Sequence, residues 1–408
     1  MRPSTLQTAY LRRGLLLAAF VTLAGCGSDY CGNCSFGPAV EVSLGLVAGN
    51  FANNGLTTIV ATGTVEYPQP VNSGDLKVYA PSGAGVYGMP TLIADGDDPL
   101  YLASDDLNGD KLPDIVSASY SDGALLVFFN STQMPGTFST PLVLSSPGAS
   151  QVAIGDLNGD GLKDLVSADF GVSLFIQTSP GAFASPISLY QGGANWVAVG
   201  DLNHDGSPDV ALTDAVGVKV LMHTGAASAT TFAAPVSVFT QTANANLAGA
   251  NIIAIADVDG DGYNDLVITD PGPTGGAAPT VNILFQDSTH PGQFLTPVSY
   301  PVAPHSLAQS IIVTDLNGDG LPDIIIGGTD SVTVLLQNPD HTFAPATNYA
   351  APNANQIAVA DVNGDGHPDI IVSAAPAQTL VNGVLTNAPG VLLQNAGTGT
   401  FGALQALP

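Results

Sequence analysis

The feature that most constrains the fold is a nine-residue acidic segment that occurs six times along the chain. The copy DLNGDGLPD begins at Asp315. The other copies begin at Asp106, Asp156, Asp201, Asp257 and Asp361. Successive copies are 50, 45, 56, 58 and 46 residues apart. Repeats of this length are typical of propeller blades or solenoid units.

Each repeat places the same hydrophobic segments around its acidic loop. In one repeat QVAIG precedes the loop, DLVSA and VSLFIQ come next, and Phe183 with Pro186 introduces a last segment. Alternating β-branched residues bounded by turn residues predict four short strands per repeat. The acidic loop therefore joins the first strand of each unit to the second.

A seventh repeat lies upstream, without the acidic residues. LVAGNFANNGLTTIVAT aligns with IAIADVDGDGYNDLVIT and places Asn50, Ala52, Asn54 and Thr58 at the acidic positions. Asn50 precedes Asp106 by 56 residues, in step with the other repeats. We therefore predict an all-β fold, a seven-bladed β-propeller of four-stranded blades over residues 38–408.

Ring closure is expected because a closed ring leaves only short protected edges. An open solenoid would need polar caps, which neither end of the chain resembles. Two segments resemble the outermost strand of the closing blade, SFGPAVEVS near residue 36 and TFGALQALP at the C-terminus. The sequence does not choose between them.

Composition agrees with an all-β chain rich in turns. The chain has 47 Gly and 30 Pro, and only Glu41 and Glu66 of its 34 acidic residues are Glu. Asp favours turns, whereas Glu favours helices. Nineteen of the acidic residues lie in the six loops, so the charge excess is mainly a property of the loops.

The acidic loops have the donor pattern of a metal site. Side-chain oxygens fall at loop positions 1, 3, 5 and 9, and position 6 is usually Gly, which permits a sharp turn. The sets are Asp106, Asn108, Asp110 and Asp114; Asp156, Asn158, Asp160 and Asp164; Asp201, Asn203, Asp205 and Asp209; Asp257, Asp259, Asp261 and Asp265; Asp315, Asn317, Asp319 and Asp323; and Asp361, Asn363, Asp365 and Asp369. Flexible sets of hard oxygen donors, with a backbone carbonyl at position 7, favour Ca²⁺ over Mg²⁺ or Zn²⁺. We predict up to six Ca²⁺ ions.

The spacing is not that of an EF-hand. Position 12, where that loop carries a bidentate Glu, holds Ser117, Ser167, Leu212, Ile268, Ile326 and Val372. The flanking segments are also predicted strands. The chain, over about residues 36 to 408, instead resembles the FG-GAP/VCBS repeat family, which includes the propellers of integrin α-subunits. The resemblance implies Ca²⁺ in β-hairpin loops, with a role in holding the blades together.

Three features depart from the family pattern. Lys111 stands at position 6 where Gly is usual, His204 occupies position 4 of its loop, and the first repeat lacks acidic ligands. We expect Lys111 to weaken the first complete site and the other sites to be intact.

The N-terminus is typical of an exported lipoprotein. Arg2, Arg12 and Arg13 precede an apolar run over residues 14–24 that is too short to span a bilayer comfortably. Leu23-Ala24-Gly25-Cys26 resembles the bacterial lipobox, which implies a signal peptide over residues 1–25, lipidation of Cys26 and a tether over residues 26–37. The alternative is an ordinary signal peptide with an incidental cysteine. Gly27 is not the Asp of an inner-membrane retention signal, so we expect a lipid anchor in the outer membrane or at the cell surface.

Two further cysteines, Cys31 and Cys34, form a C-x-x-C pair in the tether. Such a pair is a redox motif or half of a zinc site in other settings. Here no strand-to-helix context or second ligand cluster accompanies it. A local disulfide or two inactive thiols is favoured.

Charge and composition exclude several functions. The mature chain would have four Lys against 34 acidic residues, a net charge near −30, which excludes nucleic acid and anionic lipid as partners. The six histidines are scattered, no nucleophile motif occurs and the mature chain has no Arg, as a sialidase-like propeller would need. The remaining carboxylates Asp169, Asp214, Asp270 and Asp330 fit turns after the second strand. We predict no enzymatic activity.

The ligand is expected at the rim opposite the acidic loops. Three connections between the second and third strands are long, Thr62 to Asp75, Asp270 to Thr280 and Ala374 to Pro389. Long loops on a rigid scaffold often carry binding, and the alternative is that these are tolerated surface insertions. Tyr67, Tyr120 and Trp196 are weak contact candidates, and Trp196 fits the core better. The chain is then an adhesion or interaction module that recognises protein, or alternatively a carbohydrate-binding, lectin-like propeller.

Overall fold

A computed structural model describes most of the chain beyond the predicted tether. The described residues are 39–42, 45–66, 75–94, 96, 99–224, 231–240, 251–272, 279–302, 308–373, 378–381, 384–395 and 397–407. They belong to one compact unit, Pro38–Pro408. The predictions for the signal peptide, the tether, Cys26, Cys31, Cys34 and Tyr67 lie outside the described residues.

The described residues form 35 strands and no helix. The first eleven are β1 (Ala39–Val42), β2 (Leu46–Gly49), β3 (Thr58–Glu66), β4 (Asp75–Tyr79), β5 (Pro81–Gly83), β6 (Val86–Tyr87), β7 (Thr91–Ala94), β8 (Pro99–Asp105), β9 (Asp114–Ser119), β10 (Ala124–Phe128) and β11 (Leu142–Ser145). The next ten are β12 (Gln151–Gly155), β13 (Asp164–Ala168), β14 (Val172–Phe175), β15 (Gln177–Ser179), β16 (Ala182–Phe183), β17 (Ile187–Tyr190), β18 (Trp196–Gly200), β19 (Asp209–Thr213), β20 (Gly217–Leu221) and β21 (Val236–Thr240). The last fourteen are β22 (Ile253–Ala256), β23 (Asp265–Asp270), β24 (Thr280–Leu284), β25 (Val298–Pro301), β26 (Ala308–Thr314), β27 (Asp323–Gly328), β28 (Ser331–Leu335), β29 (Thr347–Ala350), β30 (Ile357–Ala360), β31 (Asp369–Val372), β32 (Gln378–Val381), β33 (Val384–Asn387), β34 (Gly390–Leu392) and β35 (Gln405–Ala406).

Seven antiparallel sheets form the blades of a propeller. From inside to outside they are β2-β3-β4-β7, β8-β9-β10-β11, β12-β13-β14-β17, β18-β19-β20-β21, β22-β23-β24-β25, β26-β27-β28-β29 and β30-β31-β34-β35. Each first strand contacts the first strand of the next blade, and β30 contacts β2. The ring is therefore closed, and the predicted seven-bladed propeller of four-stranded blades is confirmed.

The C-terminal segment supplies the outermost strand of the seventh blade. Strand β35 pairs with β34, with Gln405 opposite Val391. The other candidate segment forms β1, which pairs antiparallel with the far end of β3 and parallel with β33. Blades one and seven are joined by hydrogen bonds from Thr57 Oγ1 to Asp361 O, 2.7 Å, and from Gly85 N to Val362 O, 2.8 Å.

Two of the predicted long connections contain strands. Strand β3 continues to Glu66, so the connection that the sequence predicts from Thr62 begins only after Glu66. The segment predicted as a loop from Ala374 to Pro389 contains the hairpin β32–β33. With β1, this hairpin extends the sheet of blade one. We call β1, β32 and β33 the blade-one extension.

The extension lies at the rim opposite the acidic loops, because β3 starts at the loop and reaches that rim at its other end. The connection of blade five is placed as predicted, between the end of β23 at Asp270 and the start of β24 at Thr280. Residues 273–278 within it are outside the described part of the chain.

The core lies between neighbouring blades. Every residue of the second strands of blades two to seven is buried. Both faces of such a strand pack against an adjacent sheet. Its sequence is therefore apolar at successive positions, as in the IIIGG part of β27, and does not alternate between apolar and polar residues. Burial on both faces is the main source of hydrophobic stabilisation in the propeller.

The centre of the ring is narrowed by aromatic side chains. Tyr101 of β8 and Trp196 of β18 meet edge to face with ring centroids 5.2 Å apart, although their blades are separated by blade three. Gln151 of that blade accepts a hydrogen bond from Val197 N at 3.0 Å. Burial raises the pKa of Tyr101 to about 12. Trp196 also packs against the core clusters of two blade interfaces, which confirms its interpretation as a core residue.

Within the described residues, no helix is long and apolar enough to cross a membrane.

Candidate metal loops

The acidic loops connect the first and second strands of blades two to seven, as predicted. In blade six, the carboxylate of Asp315 at position 1 accepts hydrogen bonds from the backbone of its own loop. Gly318 N donates to Oδ1 at 2.7 Å and Gly320 N donates to Oδ2 at 2.8 Å. The position 6 contact recurs as Lys111 to Asp106, Gly161 to Asp156, Gly206 to Asp201, Gly262 to Asp257 and Gly366 to Asp361. The position 1 carboxylate therefore holds the loop backbone in a tight turn around its own oxygens.

Positions 3 and 5 accept hydrogen bonds within the same turn. In blade six, Asp319 N donates to Asn317 Oδ1 and Leu321 N donates to Asp319 Oδ1, both at 2.9 Å. Blades two, three and four repeat both contacts, as do blades five and seven. Each of these oxygens keeps a lone pair for a further contact.

Position 9 begins the second strand and is fully buried. The two oxygens of Asp323 accept hydrogen bonds from Leu316 N at 3.0 Å and Gln337 N at 2.8 Å. Asp114, Asp164, Asp209, Asp265 and Asp369 make the corresponding pair of contacts. These carboxylates tie the loop to the end of the third strand, a role that the sequence does not reveal.

Burial makes the position 9 carboxylates hard to ionise. It raises the pKa of Asp114, Asp164 and Asp209 to about 6 and that of Asp265 to about 7. Neighbouring carboxylates add to the rise, whereas the two backbone hydrogen bonds oppose it. A cation placed among these groups would favour the charged form.

The loop of blade five, called loop five below, gives the clearest test of whether the donor oxygens fit a metal ion. Oxygen atoms of Asp257, Asp259 and Asp265 lie within 4.8 Å of one another, the one such group of three acidic, His or Cys side chains in the described part of the chain. Two oxygens on opposite sides of one Ca²⁺ lie up to about 5 Å apart, since each ligand distance is about 2.3–2.6 Å. The donors present therefore fit a hard divalent cation.

At position 3 the other five acidic loops have an amide oxygen, where the loop of blade five has a carboxylate. Asp261 N donates to Asp259 Oδ1 at 3.2 Å, and Asp319 N donates in the same way to Asn317 Oδ1 at 2.9 Å. The oxygen at position 3 thus occupies the same place in both types of loop. Positions 1 and 9 carry Asp in every one of them.

The loop of blade one has the same turn with neutral side chains. Asn54 N donates to Asn50 Oδ1 at 2.9 Å, and Leu56 N donates to Asn54 Oδ1 at 3.0 Å. Thr58 at position 9 is buried and its hydroxyl has no hydrogen-bond partner. The residues at the acidic positions of this loop carry no charge, which agrees with its predicted loss of acidic ligands.

The two departures from the loop pattern keep the backbone conformation. Lys111 adopts a positive φ of 72°, and its N–H still donates to Asp106 Oδ2 at 2.8 Å. His204 has φ of 57°, and its ring lies 4.4 Å from that of Tyr263 in the next loop. A side chain at a left-handed position is strained relative to Gly. The predicted weakening of the blade-two site by Lys111 stays a prediction.

A buried residue after the third strand contributes to every acidic loop and was missed by the sequence analysis. Its backbone N–H donates to the position 9 carboxylate of its own blade. These residues are Asn130, Gln177, His223, Gln286, Gln337 and Gln394. The five with an amide side chain are called the clamp amides below. The available signal was the recurring Gln or Asn that ends segments such as VTVLLQN.

The clamp amides also use their side chains. Gln177 Nε2 donates to Lys163 O at 2.8 Å, and Gln286 Nε2 donates to Asn264 O at 2.8 Å. Both acceptors are at position 8 of the residue's own loop. In blade one the hydroxyl of Tyr87 replaces the amide and donates to Thr57 O at 2.7 Å.

Two of the carboxylates outside the loops, Asp169 and Asp214, lie in turns as predicted, and a third, Asp270, is the last residue of β23. Gly171 N donates to Asp169 at 2.6 Å, Val216 N to Asp214 at 2.8 Å and Gly272 N to Asp270 at 2.9 Å. Asp214 also forms an ion pair with Lys219 and accepts from the Tyr190 hydroxyl at 2.8 Å. The turn assignment is confirmed for Asp169 and Asp214, whereas Asp270 pairs with Thr280 in the sheet.

Comparison with known families identifies the repeat. Four stretches match the FG-GAP-like repeat, residues 106–167, 157–212, 257–326 and 315–372. Together they span more than half of the chain and include all six acidic loops. The protein belongs to the FG-GAP-like repeat family.

Two solved structures, a lectin and a protein of Lactobacillus plantarum, share the fold at low sequence identity. A lectin of Agrocybe aegerita, described as recognising non-reducing terminal N-acetylglucosamine, is 18% identical with a TM-score of 0.51 over 76% of this chain and 80% of that chain. A Lactobacillus plantarum protein is 12% identical with a TM-score of 0.51 over 76% and 85%. The V. cholerae biofilm matrix protein Bap1 is 14% identical with a TM-score of 0.43 over 91% and 80%. No curated protein matches the sequence at a significant level.

Proposed function

We propose that the protein is a non-catalytic, calcium-stabilised binding scaffold of the cell envelope, anchored by lipid at Cys26. It engages a protein ligand through the rim opposite the acidic loops. The observation that carries this proposal is the asymmetry between the two rims. One rim is occupied by repeated acidic loops, whereas the other carries the blade-one extension.

The blade-one extension supports binding at the rim opposite the acidic loops. Strands β1, β32 and β33 enlarge the sheet of blade one alone among the described blades. The enlargement joins segments that are more than 340 residues apart in sequence, with Ala39 opposite Val384. An irregular addition to one rim of a rigid scaffold favours a role in recognition.

Apolar side chains on the same rim support a protein ligand. Phe170 is 58% exposed in the turn of blade three, and Val216 is 57% exposed in the equivalent turn of blade four. Large apolar side chains in loops of a rigid scaffold are available to contact a protein ligand. The nearby Tyr190 hydroxyl and Asp214 are already bonded to one another, so these two groups offer less to a sugar.

The six acidic loops would hold Ca²⁺ through positions 1, 3, 5 and 9. Bound ions would supply charge compensation and contribute free energy to folding. The chain's own contribution is the prearranged turn, in which backbone N–H groups fix the orientation of each carboxylate. The lipid anchor is supported by the lipobox-like segment ending at Cys26. Replacing Cys26 by Ser should abolish labelling by radioactive palmitate in the native host.

The proposal is tested with the chain over residues 27–408, loaded with Ca²⁺ and presented to an envelope extract and a glycan array. The variant Phe170→Ser with Val216→Ser should lose a protein partner that the wild type captures. Met134→Ser, at an exposed apolar site on the loop rim, is the matched control and should retain it. Loss with Met134→Ser alone contradicts the assigned rim. Binding to a defined glycan without a protein partner would favour the carbohydrate-binding alternative.

A further inference from the structure

Clamp amides of three blades reach across to the acidic loop of the preceding blade. Gln394 Nε2 donates to Leu316 O at 2.6 Å, and Gln337 Nε2 donates to Val258 O at 2.7 Å. Each acceptor is at position 2 of the preceding loop. In blade two, Asn130 Nδ2 donates to Phe51 O, the same position of the neutral loop, at 2.8 Å.

Position 2 is itself bonded to the position 9 carboxylate of its loop. Leu316 N donates to Asp323 Oδ2 at 3.0 Å, and the other oxygen of Asp323 accepts from Gln337 N at 2.8 Å. The hydrogen bonds therefore form an unbroken path between blades. It runs through Asp369, Gln394, Leu316, Asp323, Gln337, Val258 and Asp265.

We propose that Gln337 and Gln394 are positioning residues that couple the loops of blades five, six and seven, so that these loops bind Ca²⁺ as a cooperative group. This inference rests on the proposed metal role of the loops. Ordering one loop fixes both its position 9 carboxylate and the amide that holds the preceding loop. The preceding loop then has less conformational entropy left to lose when it binds an ion, which is positive coupling.

The burial of the two amides supports a specific role for their N–H groups. Gln337 is 4% exposed and Gln394 is 5% exposed, and the Oε1 atom of each accepts no hydrogen bond in the described structure. A buried amide with an unpaired oxygen costs free energy that an apolar side chain of the same size would not. In the described structure, Gln337 Nε2 offsets this cost by donating to Val258 O, and Gln394 Nε2 does so by donating to Leu316 O and, at 2.8 Å, to Pro368 O of its own loop.

Blade five supplies a matched control. Gln286 occupies the same place, and its N–H donates to Asp265 Oδ1 at 2.8 Å. Its side chain donates to Asn264 O within its own loop, and its described hydrogen bonds do not reach the loop of blade four. Replacement of each Gln by Met keeps the side-chain length and the backbone N–H and removes the amide.

Hydrogen exchange measured by mass spectrometry during a calcium titration resolves the loops separately. Peptides covering residues 253–268, 311–326 and 357–372 report on blades five, six and seven. In the wild type all three should gain protection over one calcium range. Gln337→Met should raise the calcium midpoint of loop five by about three- to tenfold relative to loop six, the effect of one buried hydrogen bond.

The other variants decide whether the effect is specific. Gln394→Met should separate the calcium midpoints of the loops of blades six and seven, while those of blades five and six stay the same. Gln286→Met should leave all three midpoints together. Coincident midpoints in Gln337→Met and Gln394→Met would overturn the coupling while leaving the metal assignment intact. The absence of any calcium-dependent protection in the wild type would overturn the metal assignment and the coupling with it.

Discussion

The loops of blades one and five share one turn and differ in charge. Asn50 and Asp257 both accept hydrogen bonds from the backbone N–H groups of their loops, at 2.9 Å from Asn54 N and 2.7 Å from Gly260 N. In both loops position 6 is a Gly with positive φ. The turn is therefore made by side-chain oxygens and glycine, and it forms with neutral residues as well as with acidic ones.

This comparison shows what the acidic residues add. If Asn is sufficient for the turn, a cluster of Asp adds only repulsion unless a cation is bound, because like charges at such short range oppose one another. The cost is greatest at position 9, where Asp265 is buried with a pKa raised to about 7 and blade one has Thr58. The ion binding proposed for the six acidic loops would offset this cost.

Removal of calcium should have the largest effect and separate the two kinds of loop. We expect excess EDTA to lower the melting temperature by on the order of 10 °C, because ligands bound only by the folded state stabilise it. Circular dichroism measures the shift in melting temperature, and hydrogen exchange shows which loops lose protection. Peptides from the six acidic loops should lose protection, whereas residues 50–58 should change least. A melting temperature that EDTA leaves unchanged would contradict this prediction.

Substitutions at position 9 should give the next largest difference in stability between an acidic loop and the neutral loop of blade one. Asp323→Ala leaves two buried backbone N–H groups without their charged acceptor, and we expect a loss of about 3–5 kcal/mol in the free energy of unfolding. Thr58→Ala, the matched change in blade one, removes a hydroxyl that has no partner and should cost about 1 kcal/mol or less. Chemical denaturation in calcium compares the two variants. Equal losses would argue against a special role for the carboxylate.

The metal-free protein should be more stable in weak acid than in weak base. Burial raises the pKa of Asp114, Asp164 and Asp209 to about 6 and that of Asp265 to about 7, above the unfolded value. The protonated forms therefore favour folding, and this contribution is lost as pH rises through the folded pKa values. In EDTA we expect the melting temperature to fall between about pH 5 and about pH 8. Calcium should oppose this fall, so the shift that it causes should grow over the same range.

Position 6 should give the smallest effect. Lys111→Gly removes a side chain from a left-handed position and should stabilise the protein by about 1 kcal/mol. It should also raise the calcium affinity of the blade-two loop, measured by exchange protection of residues 106–114. Gly161→Lys in blade three is the reverse change and should lower both quantities. If both substitutions are silent, Lys111 does not distinguish its loop from the others.

The repeated loops made most of the fold predictable, because their spacing, their flanking hydrophobic segments and one aligned neutral repeat placed each loop between two strands and indicated seven blades. The closing strand was not predictable, since SFGPAVEVS and TFGALQALP have the same local character and only pairing across the chain distinguishes them. The blade-one extension was missed for the same reason, with β1 pairing to β33 from the other end of the sequence.

Within the loops, the sequence placed every oxygen donor but not its partners. The buried position 9 carboxylate resembles any other metal ligand in the repeat, and one of its two backbone contacts comes from the end of a strand 13 or more residues away. The clamp amides resemble ordinary polar residues at strand ends. Their cross-blade hydrogen bonds join Gln337 to Val258, 79 residues apart, which no local pattern encodes.

The central claim is that the acidic loops bind calcium and the neutral loop does not. Native mass spectrometry of the chain over residues 27–408 counts bound ions directly. We expect six Ca²⁺, one for each acidic loop, and loss of a single ion when Asp257 and Asp259 are both replaced by Asn. A protein that binds no calcium under these conditions, or that keeps the full count in this double variant, would contradict the account.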